Sequence, residues 1–131
     1  RVEKNWKKRE LIWQRYMEAF ASLPIGLPAP VESDTKHAYH LFTLQVNENI
    51  SGISRDELLN QMTKRGVGVG VHYLSIPEHP YYQDTFGWRP EQFPNAMKIG
   101  RETISIPLSP KLNSDEIEHV ISNVKSLLSH K

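Results

Sequence analysis

The run Gly66-Val67-Gly68-Val69-Gly70-Val71-His72-Tyr73 constrains this chain more than any other stretch. Glycine alternating with valine has a period of two, which is the period of a strand. Three glycines on one side of such a strand leave room for another backbone or a ligand. Ser54 to Arg65 precedes it with an amphipathic pattern, and Gly66 is the natural C-cap of that helix. A helix therefore feeds a strand, and the strand delivers His72 and Tyr73 at its exit. The loop Leu74-Ser75-Ile76-Pro77-Glu78-His79-Pro80-Tyr81-Tyr82 follows. Polar rings gathered at a strand's end mark the place to seek ligand contacts.

Upstream, Val2 to Ser22 reads as an entering helix. Val2, Trp6, Arg9, Trp13, Tyr16, Met17 and Phe20 recur at steps of three and four, broadly on one face. Lys4, Lys7, Lys8, Arg9 and Arg15 gather on or near the other side. A solvated face is the plainer explanation of that basic cluster, and a nucleic-acid patch the sharper one. Trp6 and Trp13 stand one heptad apart, suited either to a core or to a docking stripe. Residues 23–36 form a connector whose first part carries Pro24, Gly26, Pro28 and Pro30 and must run extended.

Residues 37–131 read as the α+β core. His37 to Val46 is the first strand and Asn47 to Ile53 a turn. Ser54 with Glu57 three residues on forms a capping box, and Leu58, Leu59 and Met62 supply the buried face behind it. Phe86 to Pro90 reads as a surface turn, and Phe93 to Glu102 as a helix with Pro94 in its first turn. Thr103 to Leu108 is a short β-branched strand that ends at proline. Asn113 or Ser114 caps a last helix carrying Ile117, Val120, Ile121, Val124, Leu127 and Leu128. The order α-β-α-β-α-β-α predicts a small α+β layer, a three-stranded sheet with helices packed on it. The first and last helices are expected side by side on one face.

A length of 131 residues suits one domain. A formal net charge of +1 gives no general drive toward nucleic acid or an anionic membrane. Without cysteine there is no disulfide, thiolate metal site or thiol catalysis. No apolar run spans a bilayer and the N-terminus is no signal peptide, so a cytoplasmic setting is expected. A hydrophobic fraction of 38% is modest, as expected if part of the surface is normally buried against something else. An opening Arg rather than Met fits a piece of a longer protein.

Gly66-x-Gly68-x-Gly70 lacks the strand-to-helix turn of a dinucleotide fingerprint, because here the helix comes first. Zinc held by His72, Glu78 and His79, with His37 or His40, follows no known ligand spacing, so no metal site is expected. His37 and His40 are three apart on the predicted strand and point to opposite faces. His40 is expected as a buried imidazole bonded to backbone. His72 suits a satisfied strand-end histidine and a ligand contact equally, with Tyr73, Tyr81 and Tyr82 crowding it. Ser75 and Ser105 lack the context of a nucleophile elbow. The residues alone thus describe a small α+β domain with one His/Tyr rim and no self-sufficient catalytic machinery. On that ground a stand-alone small-ligand-binding or regulatory module is the alternative to an enzyme domain.

Six pieces occur in a telling order: Tyr39-His40-Leu41-Phe42, Arg55-Asp56-Glu57-Leu58, Arg65 to Tyr73, His79-Pro80-Tyr81-Tyr82, Phe93-Pro94-Asn95-Ala96 and Arg101 to Pro110. Together they resemble the C-terminal domain of the DegT/DnrJ/EryC1/StrS sugar aminotransferases, fold-type I enzymes that use pyridoxal phosphate. The resemblance implies an activity this chain cannot perform alone. The Schiff-base lysine, the acidic partner of the pyridine nitrogen and the phosphate site belong to a large N-terminal domain and the partner subunit. No catalytic or cofactor-binding residue is expected here, and Lys64, Lys98 and Lys111 are expected to be solvated. What the resemblance assigns to this domain is closure over a nucleotide-diphosphate sugar. His72 and Tyr73 face substrate in that picture, with Tyr81 or Tyr82 next. Arg101 pairs with a phosphate or, more simply, in a structural ion pair. The amination implied is of a keto sugar, 4-keto by the form of the His79-to-Tyr82 and Phe93-to-Ala96 pieces, with glutamate as amino donor. The full-length enzyme is expected to be a homodimer serving polysaccharide, surface-glycan or antibiotic-sugar biosynthesis.

Overall fold

The computed structural model describes residues 1–129. Its elements are α1 (Val2–Phe20), β1 (Phe42–Gln45), the one-turn helix α2 (Glu48–Ser51), α3 (Arg55–Lys64), α4 (Pro80–Phe86), α5 (Pro94–Glu102), β2 (Thr103–Ile106) and α6 (Ser114–Leu128). Turns of 3-10 helix stand at Ile76–Glu78 and Pro90–Gln92. The fold is α+β, as the pattern predicts. Among the described residues the sheet has two strands where three were expected. β1 and β2 run antiparallel, with Phe42 opposite Ile106 and Leu44 opposite Ile104. Single bridges extend the pair on either side, from Gly26 to Gln45 and from Gly70 to Ser105.

The glycine run therefore contributes one bridge rather than a strand. Gly66 stands at φ +76° and ends α3. Its amide bonds the Thr63 carbonyl and the Val67 amide bonds the Met62 carbonyl, both at 3.0 Å, which is a Schellman closure. Met62 and Val67 are both buried in the same core. Beyond them, glycines give a ladder no side chains to pack, so pairing is confined to Gly70.

The core is built on α1, which turns Ile12, Trp13, Tyr16 and Phe20 inward. Trp13 and Tyr16 meet the Phe42 ring edge-on at 4.7 and 5.2 Å, and Tyr16 stacks on Phe20 at 5.6 Å. Leu58 and Met62 of α3, Ile104 and Ile106 of β2, and the apolar stripe of α6 complete the cluster. Helices α1 and α6 pack side by side. The Tyr16 hydroxyl donates to the Pro107 carbonyl at 2.9 Å. Burial holds this phenol well above its usual range, against a smaller opposing effect of Arg15.

Trp6 and Trp13 are internal, which decides between core and docking stripe. Trp13 is 6% exposed. Trp6 packs on Tyr39 and donates its indole N–H to the His37 carbonyl at 2.7 Å. Several basic residues of α1 are used within the fold. Lys7 pairs with Glu10, Arg15 with Glu118, and Arg9 reaches the Ala38 carbonyl.

Other boundaries moved for local reasons. The first strand starts at Phe42, because Tyr39 has φ +46° and an extended chain cannot pass through it. The His37 Nδ1 accepts from the Tyr39 amide at 3.1 Å, and both rings lie against Trp13 at 4.8 and 5.3 Å. Residues 37–41 are thus a clasp on α1. The aromatic loop is largely helical, since Pro77 and Pro80 open turns with their fixed φ. The turn after β1 holds α2, capped by Asn47 and closed by Gly52 at φ 74°. Among the described residues no helix is long and apolar enough to cross a membrane.

Two outcomes are expected. Tyr16→Phe leaves the Pro107 carbonyl unpaired and should cost about 1 kcal/mol. The unfolded phenol titrates near about 10 and the folded one higher, so on raising the pH the unfolded chain loses its proton first. The stability held below that pH should fall through the alkaline range in the wild-type chain and fall less in the variant, as read by urea melts followed by tryptophan fluorescence. Gly66→Ala forces a Cβ into the left-handed region and should cost about 1–2 kcal/mol in the same melts.

Candidate functional site

β2 is buried on both faces. Ile104 and Ile106 belong to the core, so strand alternation puts Thr103 and Ser105 on the other face. Gly70 crosses the edge of β2, exchanging backbone bonds with Ser105 at 3.1 and 2.8 Å. Two residues on, His72 places Nδ1 3.0 Å from the Ser105 Oγ. Gly70 makes this possible, because a Cβ there would stand 2.8 Å from His72 Cε1. The imidazole therefore folds back over the glycine that precedes it. Gly68 has nothing within 4 Å of where a Cβ would be, and so faces open space.

A groove of about 400 Å³ opens here, lined by His40, Gly68, Gly70, His72, Ser105 and Pro107 together with neighbouring apolar residues. His40 is exposed, not the buried, backbone-bonded imidazole expected. The left-handed turn at Tyr39 sends the tyrosine into the core and leaves the next side chain outside. Among the described residues no lysine, arginine, aspartate or glutamate lines the groove. Its polar groups are imidazole and hydroxyl, which can bind and orient an oxygen-rich ligand. A second hollow of about 410 Å³ lies between Gly66–Gly68 and the start of α6. Its imidazole, His119, already bonds the Arg65 carbonyl at 2.9 Å, which makes the His72 groove the better candidate.

Beside the groove, Tyr73 is 74% exposed and meets the His72 ring edge-on at 4.9 Å. Ser75 fastens the segment that follows. It is buried, and its hydroxyl donates to the Ala96 carbonyl of α5. Gly100 lets it approach, since a Cβ there would stand 2.9 Å from the Ser75 amide nitrogen. Tyr82 stacks on Phe86 at 6.0 Å and on Trp88 at 5.5 Å, with Tyr81 edge-on at 5.4 Å. Tyr81 and Tyr82 thus form an aromatic rim on α4, and neither lines the groove itself. Arg101 pairs with Glu78 at 3.4 Å and ties α5 to the turn before α4. Lys64, Lys98 and Lys111 are exposed. Among the described residues no group of three His, Cys, Asp or Glu could hold a metal ion.

Two contributors escaped the sequence reading. Arg55 donates to the Gly100 and Thr103 carbonyls at 3.2 and 3.0 Å, closing the junction of α5 and β2. Ser105 was weighed only as a nucleophile, whereas it holds His72. The signal for Ser105 was the alternation of Thr103 and Ser105 with Ile104 and Ile106. Arg55 showed only as part of a helix start.

Residues 1–125 match the DegT/DnrJ/EryC1/StrS aminotransferase family. The spore coat polysaccharide biosynthesis protein SpsC of Bacillus subtilis (strain 168) is 38% identical over 130 residues, covering 98% of this chain and 33% of SpsC. The apo-form of Spr1654 from Streptococcus pneumoniae has the same fold, with a TM-score of 0.86 at 24% identity over 98% of this chain and 32% of that one. Spr1654 has also been solved in PLP and PMP forms. DesV of S. venezuelae gives a TM-score of 0.84 at 28% identity over 98% of this chain and 33% of its own. The chain spans about a third of the length of the curated relatives it matches.

Gly100→Ala should force Ser75 away from α5 and cost about 1–3 kcal/mol, the range for overpacking a filled contact. Hydrogen exchange should quicken at residues 73–76 and stay unchanged in α6.

Proposed function

The chain belongs to the DegT/DnrJ/EryC1/StrS aminotransferase family, and from that membership we propose that it forms the C-terminal third of a pyridoxal-phosphate-dependent aminotransferase. The reaction we infer moves an amino group from glutamate to the keto carbon, at position 4 by preference, of a nucleotide-diphosphate sugar. The observation that carries this reading is the groove beside β2, which offers groups for binding but no amine to hold a carbonyl cofactor. Pyridoxal phosphate, when bound, supplies an electron sink for the carbon that carries nitrogen. The groove does not fit it, because among the described residues no lysine lines it. The cofactor is therefore assigned to the remaining part of a full-length protein and to the partner subunit of a homodimer.

The share of this chain is binding, orientation and exclusion of water. His72 contributes its free ring nitrogen, and His40 lines the same groove. The Tyr73 ring packs on the sugar or the nucleotide while its hydroxyl bonds an oxygen. Tyr81 and Tyr82 extend that wall, and Arg101 keeps its structural pair with Glu78. Apolar walls with a few polar groups suit a sugar ring carried on a nucleotide. SpsC bears a name in spore coat polysaccharide biosynthesis. We assign this chain to the same kind of work, the making of an amino sugar for a polysaccharide, surface glycan or antibiotic, in the cytoplasm.

The test compares the full-length protein with the 131-residue chain alone. The full-length protein should show the visible absorbance of bound pyridoxal phosphate. It should also pass nitrogen from glutamate to a nucleotide-diphosphate 4-keto-hexose, and the chain alone should do neither. In the full-length protein His72→Ala should raise KM about three- to tenfold, the worth of one hydrogen bond, with kcat little changed. Cofactor absorbance and turnover by the chain alone would overturn this division of labour.

A further inference from the structure

We propose that Ser105 is a positioning residue whose hydroxyl donates to His72 Nδ1, fixes the neutral imidazole as its Nε2–H form, and so presents a hydrogen-bond donor to the groove. The use of that donor rests on the proposed role of His72 as a substrate contact. The tautomer rests on local geometry alone.

A neutral imidazole has one donor and one acceptor nitrogen, while a hydroxyl donates once and accepts twice. The 3.0 Å contact between Ser105 Oγ and His72 Nδ1 therefore permits two arrangements. Burial chooses between them. Ser105 is 4% exposed, and among the described residues its hydroxyl has no other partner. If Ser105 accepted from Nδ1–H, its own proton would have no acceptor among the described residues and would be left to the groove. If it donates, that proton has its acceptor in Nδ1. Donation to Nδ1 leaves the ring proton on Nε2, which has no partner among the described residues, in a ring that lines the groove.

Gly70 sets the position as Ser105 sets the proton. A Cβ at residue 70 would stand 2.8 Å from Cε1 and 3.5 Å from Nδ1 of His72, so a side chain there obliges the ring to shift. The consequence is selectivity. An N–H donor at this point favours a ligand oxygen that accepts, and disfavours a ligand N–H that can only donate.

Long-range nitrogen–proton NMR on the 15N-labelled 131-residue chain, at a pH where the ring is neutral, reads the tautomer directly. We expect His72 with Nε2 protonated and Nδ1 bare. Ser105→Ala should let the Nδ1–H form grow in, and Ser105→Thr, which keeps the hydroxyl, should restore the wild-type pattern. Gly70→Ala should displace the ring and lose the bias although the hydroxyl remains. The amide spectrum of each variant reports folding separately, and the wild-type reading needs no variant. A protonated Nδ1 in the wild-type chain, or a folded Ser105→Ala chain with its tautomer unchanged, would overturn the proposal. Neither result involves a nucleotide sugar. Failure here leaves the aminotransferase reading standing, and a fixed tautomer beside an inactive full-length protein would count against that reading alone.

Discussion

A strand buried on both faces must find a partner for every polar group it carries, and β2 is such a strand. One edge pairs with β1. On the other, Ser105 exchanges both backbone bonds with Gly70. The Thr103 carbonyl is met by Arg55 from the start of α3, and the Pro107 carbonyl just beyond the strand by Tyr16 of α1. The Ser105 hydroxyl is met by His72. Four short residues thus tie together both main helical layers and the candidate site. The site inherits its order from the strand rather than from its own loop.

The clasp at residues 37–41 sets another part of the groove, and magnitudes explain why it holds. A tyrosine in the left-handed region costs about 1–2 kcal/mol. Burying a large apolar ring is worth about 1.5–3 kcal/mol, and a well-placed aromatic pair adds about 0.5–1.5 kcal/mol. Tyr39 is buried to 6% exposure and touches both Trp6 and Trp13. The packing therefore outweighs the strain. Its by-product shapes the groove, because the turn that buries Tyr39 leaves His40 outside on its lining.

Charge plays a smaller part. Lys7, Arg15 and Lys36 pair with Glu10, Glu118 and Glu3 largely in solvent, where such pairs are worth about 1 kcal/mol at most. Two of these pairs, at Lys7 and Arg15, take up part of the basic character of α1 within the fold. The groove itself carries neither acid nor amine. Imidazole and hydroxyl line it, with the exposed Tyr73 ring beside it, and these are the groups on which the proposed function draws.

Much of the fold was legible because its signals are local. Ser54 accepts from the Glu57 amide, Asn113 and Glu116 form a reciprocal cap, and Pro94 opens α5, each within one helical turn. Apolar period marked the buried stripes of α1 and α6, and ordered short motifs marked the family. The third strand failed because a period of two identifies a strand's shape without providing a neighbour, and glycine adds no side chain to hold one. His40 was misplaced because nothing in its own stretch announces the left-handed turn at Tyr39, which Trp6 and Trp13 impose from α1. The amino-acid order by itself determined the extents of α1, α3, α5 and α6 to within a residue or two, which faces are apolar, and that His72 would leave the glycine run beside tyrosine. Only tertiary structure decided that this imidazole meets Ser105, 33 residues away, and that Arg55 reaches carbonyls 45 and 48 residues away. Such pairs form when packing brings buried polar groups within reach, and separation along the chain carries no record of it.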